Sequence, residues 1–229
     1  MHEDLKTYFC IVGSGPAGTV LAKNLAKKGF KTILVEAGNS KGKNIKQPCF
    51  DKVNIDKDFQ INLNASYQVG GASNLWSGKI HELDKIDFVK RPYIENFTWP
   101  YKKIKLASYY KKASKILSLP NKDKLNNSFL SSLMIKKNSS ISIKNIYRPN
   151  KPYNFKYYLK TKGNNLKNLT ILTDSKVISL SQKVKNGKIS YINLKDKKLN
   201  NFKIFAKNFI LACGGIEVPR IMLNSKNKN

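Results

Sequence analysis

Apolar residues first gather in a short run at residues 8–12, which stops at a glycine. Residues 17–28 then carry apolar side chains at the spacing of one helical face. Gly29 is expected to end that helix, and residues 31–36 form a β-branched run typical of a strand. The chain therefore opens with a β-α-β unit, whose strands are parallel because a crossover helix joins them.

The middle of the chain is less regular. Residues 41–58 are polar, and the glycine-rich residues 70–78 predict a loop that another group approaches closely. Residues 102–117 place apolar side chains on one helical face and lysines on the other, which predicts a solvated amphipathic helix. Residues 121–150 are rich in Ser, Asn and Lys and predict an irregular insertion.

Strand patterns return in the last third of the chain. They lie at residues 169–172, 176–180, 188–194, 202–206 and 209–213, and a short helix is predicted at 217–223. Together with the opening β-α-β unit, these elements predict an α/β fold with a parallel sheet.

The turn after the first strand satisfies the pattern G-x-G-x-x-G at residues 13–18. In this pattern Gly13 allows a tight turn, Gly15 leaves room for a diphosphate, and Gly18 lets the helix pack closely on the sheet. Pro16 suits the first helical turn, because its missing N–H has no intrahelical partner, and Ala17 follows it there. The helix N-terminus then offers N–H groups and a positive dipole end to a diphosphate.

Glu36 stands at the end of the second predicted strand. In a dinucleotide-binding unit a carboxylate there accepts hydrogen bonds from the adenosine ribose and repels a 2′-phosphate. The motif therefore predicts FAD or NAD as ligand, in preference to NADP.

A formal net charge of +29 raises the alternative of a nucleic-acid-binding protein. Arginine, however, accounts for only three of the 43 basic residues, Arg91, Arg148 and Arg220, and the lysines are spread over the whole chain among many Asn and Ile residues. Because phosphate and base recognition favour clustered arginines, the basic side chains are interpreted as a solvated surface, and no nucleic-acid partner is expected.

The sequence contains neither a long apolar run nor an N-terminal signal pattern, so we expect a soluble, non-exported, cytoplasmic chain without a membrane span. Cys10, Cys49 and Cys213 are scattered, with no C-x-x-C pair for a metal or a redox dithiol. Cys10 and Cys213 lie in apolar runs and are expected to act as small hydrophobic side chains.

Five segments resemble the glucose-methanol-choline (GMC) family of flavoprotein oxidoreductases, in the order in which the family has them. They are residues 36–38, 70–78, 86–88, 99–101 with 109–110, and 212–220. The resemblance implies an α/β, Rossmann-like FAD-binding fold, in which a parallel sheet with crossover helices is extended by an antiparallel β-meander, with an irregular inserted segment. It divides the chain into residues 1–90, 91–160 and 161–229, of which the last returns to the FAD-binding domain.

The resemblance also implies a cofactor and its neighbours. FAD would be held by Gly13, Gly15, Gly18 and Glu36. The loop containing Gly71, Ser73 and Asn74 would pass beside the flavin, and the last two side chains would hydrogen-bond the isoalloxazine edge. Val177 falls where the family presents backbone to the adenine, and Gly214 falls at a second close approach to the cofactor. Leu75 precedes Trp76 where some relatives attach flavin through a histidine, so the FAD is expected to be non-covalent.

The family oxidises the CH–OH group of an alcohol or sugar, using a histidine in a C-terminal part that this sequence does not contain. His2 and His81 do not stand at that position, so no catalytic residue is predicted. We therefore expect the FAD-binding portion of such an enzyme, without its C-terminal substrate domain. The electron acceptor is open, and the alternatives are a truncated, non-catalytic FAD-binding remnant and a flavoenzyme reduced by NAD(P)H.

Overall fold

The computed structural model describes residues 4–40, 66–93, 103–119, 153–160, 166–182 and 188–225. The predicted loop at 41–58, the insertion at 121–150, and the family-like segment at 99–101 lie outside these residues. The structure forms two compact units, Met1–Leu75 with Asn154–Asn229, and Trp76–Tyr153. The division into residues 1–90, 91–160 and 161–229 stays a prediction.

The described part of the first unit contains a six-stranded sheet and three α-helices. The strands are β1 (Leu5–Val12), β2 (Thr32–Val35), β3 (Leu169–Leu172), β4 (Ser175–Gln182), β5 (Ile189–Asp196) and β6 (Asn201–Leu211). The helices are α1 (Pro16–Lys27), α3 (Phe155–Lys160) and α4 (Gly214–Asn224), and a 3₁₀ helix spans Gly71–Asn74.

In the second unit, α2 (Ala107–Ile116) follows a 3₁₀ turn at Lys103–Leu106, and another 3₁₀ turn spans Lys85–Phe88. None of the α2 residues is buried, which agrees with the solvated helix predicted at 102–117. Asp84 and Asp87 form a capping box at the start of the Lys85–Phe88 turn, and the Asp84 N–H donates to Asp87 Oδ2 over 2.7 Å.

The strand order in the sheet is β3-β2-β1-β6-β5-β4. The first four strands in this order run parallel, whereas β5 pairs antiparallel with both β6 and β4. A parallel core extended by an antiparallel meander is the Rossmann-like architecture that the sequence predicts, and this prediction is confirmed.

Alternation along the central strands buries both faces of the sheet. Cys10, Val12 and Ile33 contribute to a core on one face, where they join residues of the meander. Ile11 and Leu34 point to the opposite face, where Ala22 of α1 packs on them. This packing fixes α1 against the sheet and places its N-terminus at the carboxyl end of β1.

The predictions for residues 202–206 and 209–213 are corrected, because the two predicted strands are one continuous strand, β6. Lys207 and Asn208 interrupt the apolar pattern and are exposed, but β6 keeps its pairing with β1 as far as Leu211. The last helix also begins earlier than predicted, at Gly214 instead of Glu217.

Candidate functional site

A cleft of about 840 Å³ lies at the carboxyl end of the parallel strands. Its walls come from the turns that follow β1, β2 and β6, from the start of β4 and from the N-terminal half of α4. Ligands of open α/β sheets bind in the crevice outside the carboxyl ends of the strands. The cleft is therefore the candidate functional site.

Two glycines of the turn after β1 are required by the packing of the protein itself. Gly13 has a φ of 100°, and a Cβ on it would lie 2.6 Å from the Ala212 carbonyl oxygen. A Cβ on Gly18 would lie 1.9 Å from the Gly13 carbonyl oxygen. A side chain on Gly13 would force the turns after β1 and β6 apart, and one on Gly18 would force α1 away from the turn after β1.

Gly15 is different, because the described part of the chain gives no packing reason for it. Its backbone is extended, with a φ of −64°, and a Cβ built on it meets no atom of the described residues within 4 Å. Gly15 lines the cleft and is the N-cap of α1, with Pro16 in the first turn. Among the described residues no side chain caps this helix, and its first turn has no acidic residue. The positive end of α1 is thus open to a ligand.

Glu36 is nearly fully buried, with a relative exposure of 5%, and it lines the cleft. Its Oε2 accepts hydrogen bonds from the Ser14 N–H over 3.1 Å and from the Ser14 hydroxyl over 2.6 Å. Its Oε1 accepts one from the Gly38 N–H over 2.9 Å. A carboxylate oxygen can accept two hydrogen bonds, so Oε1 can also accept one from a ligand hydroxyl.

Burial raises the pKa of Glu36, while the Ser14 hydroxyl and the N–H groups of Gly38, Ser14 and Ala37 act in the opposite direction. A hydroxyl donor from a ligand would act in the same direction as these hydrogen-bond donors and lower the pKa of Glu36. The carboxyl is therefore suited to bind a diol more strongly when it is ionised.

The glycine-rich loop packs against the turn after β1. Gly70 has a φ of 100°, and its N–H donates to both the Ser14 carbonyl and the Ser14 hydroxyl, over 3.1 and 3.2 Å. A Cβ on Gly71 would lie 2.9 Å from the Gly15 Cα, so these two backbones touch. Gly71 and Ala72 line the cleft beside Gly15.

The side chains of Ser73 and Asn74 are used within the protein. The Ser73 hydroxyl donates to the Gly70 carbonyl over 2.6 Å and accepts from the Phe155 N–H over 3.0 Å. Asn74 Nδ2 donates to the Gly71 carbonyl over 2.7 Å, and Asn74 Oδ1 accepts from Asn154 Nδ2 over 2.6 Å. These bonds hold the loop in shape, and neither residue lines the cleft.

Val177 and Gly214 also line the cleft. The Val177 carbonyl accepts a hydrogen bond from Arg220 Nη2 over 2.9 Å, and the same guanidinium pairs with Glu217 Oε2 over 2.6 Å. Gly214 has a φ of 86°, and a Cβ on it would meet no atom within 4 Å. It is the first residue of α4, whose N-terminus also faces the cleft.

Eight of the eleven residues predicted to contact the cofactor line the cleft, and three do not. The eight are Gly13, Gly15, Pro16, Ala17, Glu36, Gly71, Val177 and Gly214, and the others are Gly18, Ser73 and Asn74. The pattern did not indicate Ser14, Glu217 or Arg220. Glu217 and Arg220 are three residues apart on a predicted helix, and this spacing could have indicated their ion pair. Ser14 occupies a variable position of the motif, which gives no such signal.

The two described cysteines are poor nucleophiles. Burial raises the pKa of Cys10 to about 12. Cys213 lines the cleft, and burial, with a smaller contribution from the Glu217 carboxylate, raises its pKa to about 11. Both thiols stay protonated near neutral pH. His81 is exposed in the second unit, and His2 lies outside the described residues.

Comparisons with known proteins agree with this architecture. Residues 11–76 match the family of NAD(P)-binding Rossmann-like domains. Curated proteins gave no match. In the described part of the chain, no helix is both long enough and apolar enough to cross a bilayer.

Two solved oxidase structures share the fold. Pyridoxine 4-oxidase from Mesorbium loti has a TM-score of 0.60 and 18% identity, over 96% of this chain and 52% of that one. A variant of Aspergillus oryzae RIB40 formate oxidase, studied for its effect on FAD modification, has a TM-score of 0.60 and 16% identity, over 98% of this chain and 48% of that one. The chain thus spans about half the length of the solved structures it matches.

The resemblance to the GMC family is confirmed at the level of the fold, since both matched oxidases are of that family. Residues 11–76 are thus similar to NAD(P)-binding Rossmann-like domains, and the chain shares its fold with about half of each of these oxidases.

Proposed function

We propose that this chain binds FAD non-covalently in the cleft and is the FAD-binding portion of a GMC-like oxidoreductase. The observation that carries the proposal is that, among the described residues, no atom lies within 4 Å of a Cβ built on Gly15 and no side chain caps the N-terminus of α1. Because Gly15 has no side chain, a diphosphate can approach its backbone closely. The positive end of the α1 dipole and the N–H groups of its first turn also favour a diphosphate there.

Glu36 supports the adenosine half of the ligand. Its carboxylate is fixed by Ser14 and Gly38, and it keeps capacity for a hydrogen bond from a ribose hydroxyl. A 2′-phosphate beside this nearly buried carboxylate would be repelled. NADP is thus disfavoured relative to FAD and NAD.

The extent of the cleft supports a dinucleotide. Its volume, about 840 Å³, is in the upper part of the range of roughly 300–1,000 Å³ that is usual for ligand sites. Its lining includes Glu36, Val177 and Gly71 of the glycine-rich loop. We propose that the flavin follows the diphosphate along this loop. Its attachment is proposed to be non-covalent, because Leu75 precedes Trp76 where some relatives have the attaching histidine.

The chemistry would come from the flavin, which accepts a hydride from the CH–OH carbon of an alcohol or sugar. The residues of this chain would bind and orient the cofactor, and we assign none of them a catalytic role. The electron acceptor is left open. We further propose a cytoplasmic protein with no nucleic-acid partner.

NAD is the second candidate ligand, because residues 11–76 match a family described as NAD(P)-binding. Calorimetric titration of the purified chain with FAD, NAD⁺, NADP⁺ and FMN separates the two. We expect FAD to bind tightest, NAD⁺ more weakly because it lacks the flavin, NADP⁺ more weakly still, and FMN not at all because it lacks the adenosine diphosphate. Tighter binding of NAD⁺ than of FAD would favour the second candidate, and no binding of either would refute both.

A further inference from the structure

Ser14 occupies a variable position of the glycine motif, yet it is completely buried. Its hydroxyl lies between two parts of the cleft, 2.6 Å from Glu36 Oε2 and 3.2 Å from the Gly70 nitrogen. Glu36 stands at the proposed ribose end of the cleft, and Gly70 begins the loop on its flavin side. One hydroxyl thus connects the proposed ribose-binding carboxylate to the first residue of the glycine-rich loop.

The direction of these two hydrogen bonds is fixed by chemistry. The Gly70 N–H can only donate, so the hydroxyl accepts from it. The hydroxyl proton is then available for Glu36, and a donor to an ionised carboxylate makes a shorter and stronger bond than a donor to a neutral group. The strength of the connection therefore depends on the charge of Glu36.

The main chain of Ser14 strengthens the same connection. Its N–H donates to Glu36 Oε2 over 3.1 Å, and its carbonyl accepts from the Gly70 N–H over 3.1 Å. The Thr19 hydroxyl donates to that carbonyl over 2.7 Å. These bonds survive removal of the Ser14 hydroxyl, so a Ser14→Ala variant keeps the turn and loses only the side-chain link.

We propose that Ser14 is a positioning residue, whose hydroxyl couples the orientation of the ribose-binding carboxylate of Glu36 to the Gly70 loop on the flavin side. The inference rests on the proposed function. The alternative role is that of a buried hydroxyl that only stabilises the fold.

Several titratable or charged groups line the same cleft and define the background for a pH experiment. They are Tyr67 ahead of the glycine-rich loop, Lys176 on β4, Cys213 before α4, and Glu217 and Arg220 on α4. Glu36 is among the groups that raise the pKa of Cys213. Substitutions at Ser14 and Glu36 leave these five residues in place, so their contribution to the pH dependence of FAD affinity is the same in every variant.

The test is the FAD dissociation constant as a function of pH for the wild type, Ser14→Ala, Glu36→Gln and the double variant. In the wild type, affinity should fall as pH decreases through the pKa of Glu36. Ser14→Ala removes a donor to the ionised carboxylate, so the midpoint of that fall should move up by about one pH unit, and affinity near the midpoint should drop roughly tenfold. In the Glu36→Gln background, Ser14→Ala should have no such effect.

Thr32→Val is the matched control, since Thr32 is also completely buried and its hydroxyl donates to the Phe30 carbonyl over 2.9 Å, outside the cleft. It should lower thermal stability about as much as Ser14→Ala and leave the pH midpoint unchanged. Ser14→Cys, which fills the same space with a weaker donor, should give an intermediate midpoint and serves as the second variant if Ser14→Ala does not fold.

A readout on the free protein is the carbon-13 titration of the Glu36 carboxyl, which should move to higher pH in Ser14→Ala, together with faster hydrogen exchange of the Gly70 amide. The inference would be overturned if Ser14→Ala and the wild type had the same pH midpoint of FAD affinity. It would also be overturned if Ser14→Ala changed FAD affinity equally in the wild-type and Glu36→Gln backgrounds. Absence of FAD binding by the wild type would overturn the proposed function, and this inference with it.

Discussion

Replacing Gly15 by alanine should separate ligand binding from folding. The added Cβ meets no atom of the described residues within 4 Å, and the backbone at Gly15 is one that alanine adopts readily. The matched variant is Gly18→Ala, whose Cβ would lie 1.9 Å from the Gly13 carbonyl oxygen. Both variants add one methyl group to the same glycine turn, but only the second adds it where protein atoms already stand.

The stability of Gly15→Ala should change little, because two effects oppose each other. Replacing glycine by alanine in a compatible conformation stabilises a protein by about 0.4–1 kcal/mol through the unfolded state. Alanine is a poorer N-cap than glycine, which costs up to about 1 kcal/mol at this position. The net change should stay within about 1 kcal/mol, or roughly 2–4 °C in melting temperature for a chain of this size.

FAD binding should weaken in Gly15→Ala, because the methyl group enters the space proposed for the diphosphate. Overpacking of this kind costs about 1–3 kcal/mol, which corresponds to a rise of roughly 5- to 150-fold in the dissociation constant. Gly18→Ala should instead lose about 3 kcal/mol or more of stability, since the backbone of the turn must move. Its melting temperature should fall by roughly 6–12 °C.

Calorimetric titration with FAD and thermal unfolding followed by circular dichroism measure the two quantities on the same preparations. Wild-type affinity in a folded Gly15→Ala protein would show that no diphosphate lies at Gly15. Wild-type stability in Gly18→Ala would show that α1 does not pack on the turn as described.

Three further predictions concern buried titratable groups. Because burial raises the pKa of Glu36, its contribution to the stability of the ligand-free protein is present at low pH and is lost as pH rises through the folded-state pKa. Glu36→Gln should therefore remove this fall from a plot of melting temperature against pH. Burial lowers the pKa of Lys23, whose ammonium group donates to the Tyr158 carbonyl over 2.8 Å on a part of α1 outside the cleft. Lys23→Met should therefore lower the free energy of unfolding in urea by about 1 kcal/mol and leave FAD affinity unchanged. Cys10 and Cys213 should react with iodoacetamide at pH 8 far more slowly in the native protein than in urea, as measured by peptide mass spectrometry. FAD should slow the reaction of Cys213 further but not that of Cys10, because Cys213 lines the cleft. Equal reaction rates in the native protein and in urea would contradict this prediction.

The opening β-α-β unit could be predicted from sequence, because its signals are local. The apolar run, the glycine turn and the helical spacing each lie within a few residues, and α1 and β2 begin and end close to the predicted positions. Gly29, expected to end α1, takes a left-handed conformation with a φ of 89° just after it. The continuity of β6 could not be predicted in this way, since it depends on pairing with β1 across Lys207 and Asn208.

The details of the site depend on contacts between distant parts of the sequence. Ser14 bonds to Glu36 and to Gly70, and the variable position that it occupies in the motif carries no sign of either partner. Ser73 and Asn74 were predicted beside the flavin from the resemblance. Their actual partners include residues 154 and 155, which lie about 80 positions later in the sequence. A role at the flavin edge stays a prediction for both residues.

The central claim is that FAD occupies the cleft with its diphosphate at Gly15 and its adenosine ribose at Glu36. The most direct measurement is a crystal structure of the chain with FAD. We predict diphosphate oxygens within hydrogen-bond distance of the N–H groups in the first turn of α1, and a ribose hydroxyl within hydrogen-bond distance of Glu36 Oε1. FAD bound away from both residues, or a cleft that stays empty at saturating FAD, would contradict the account.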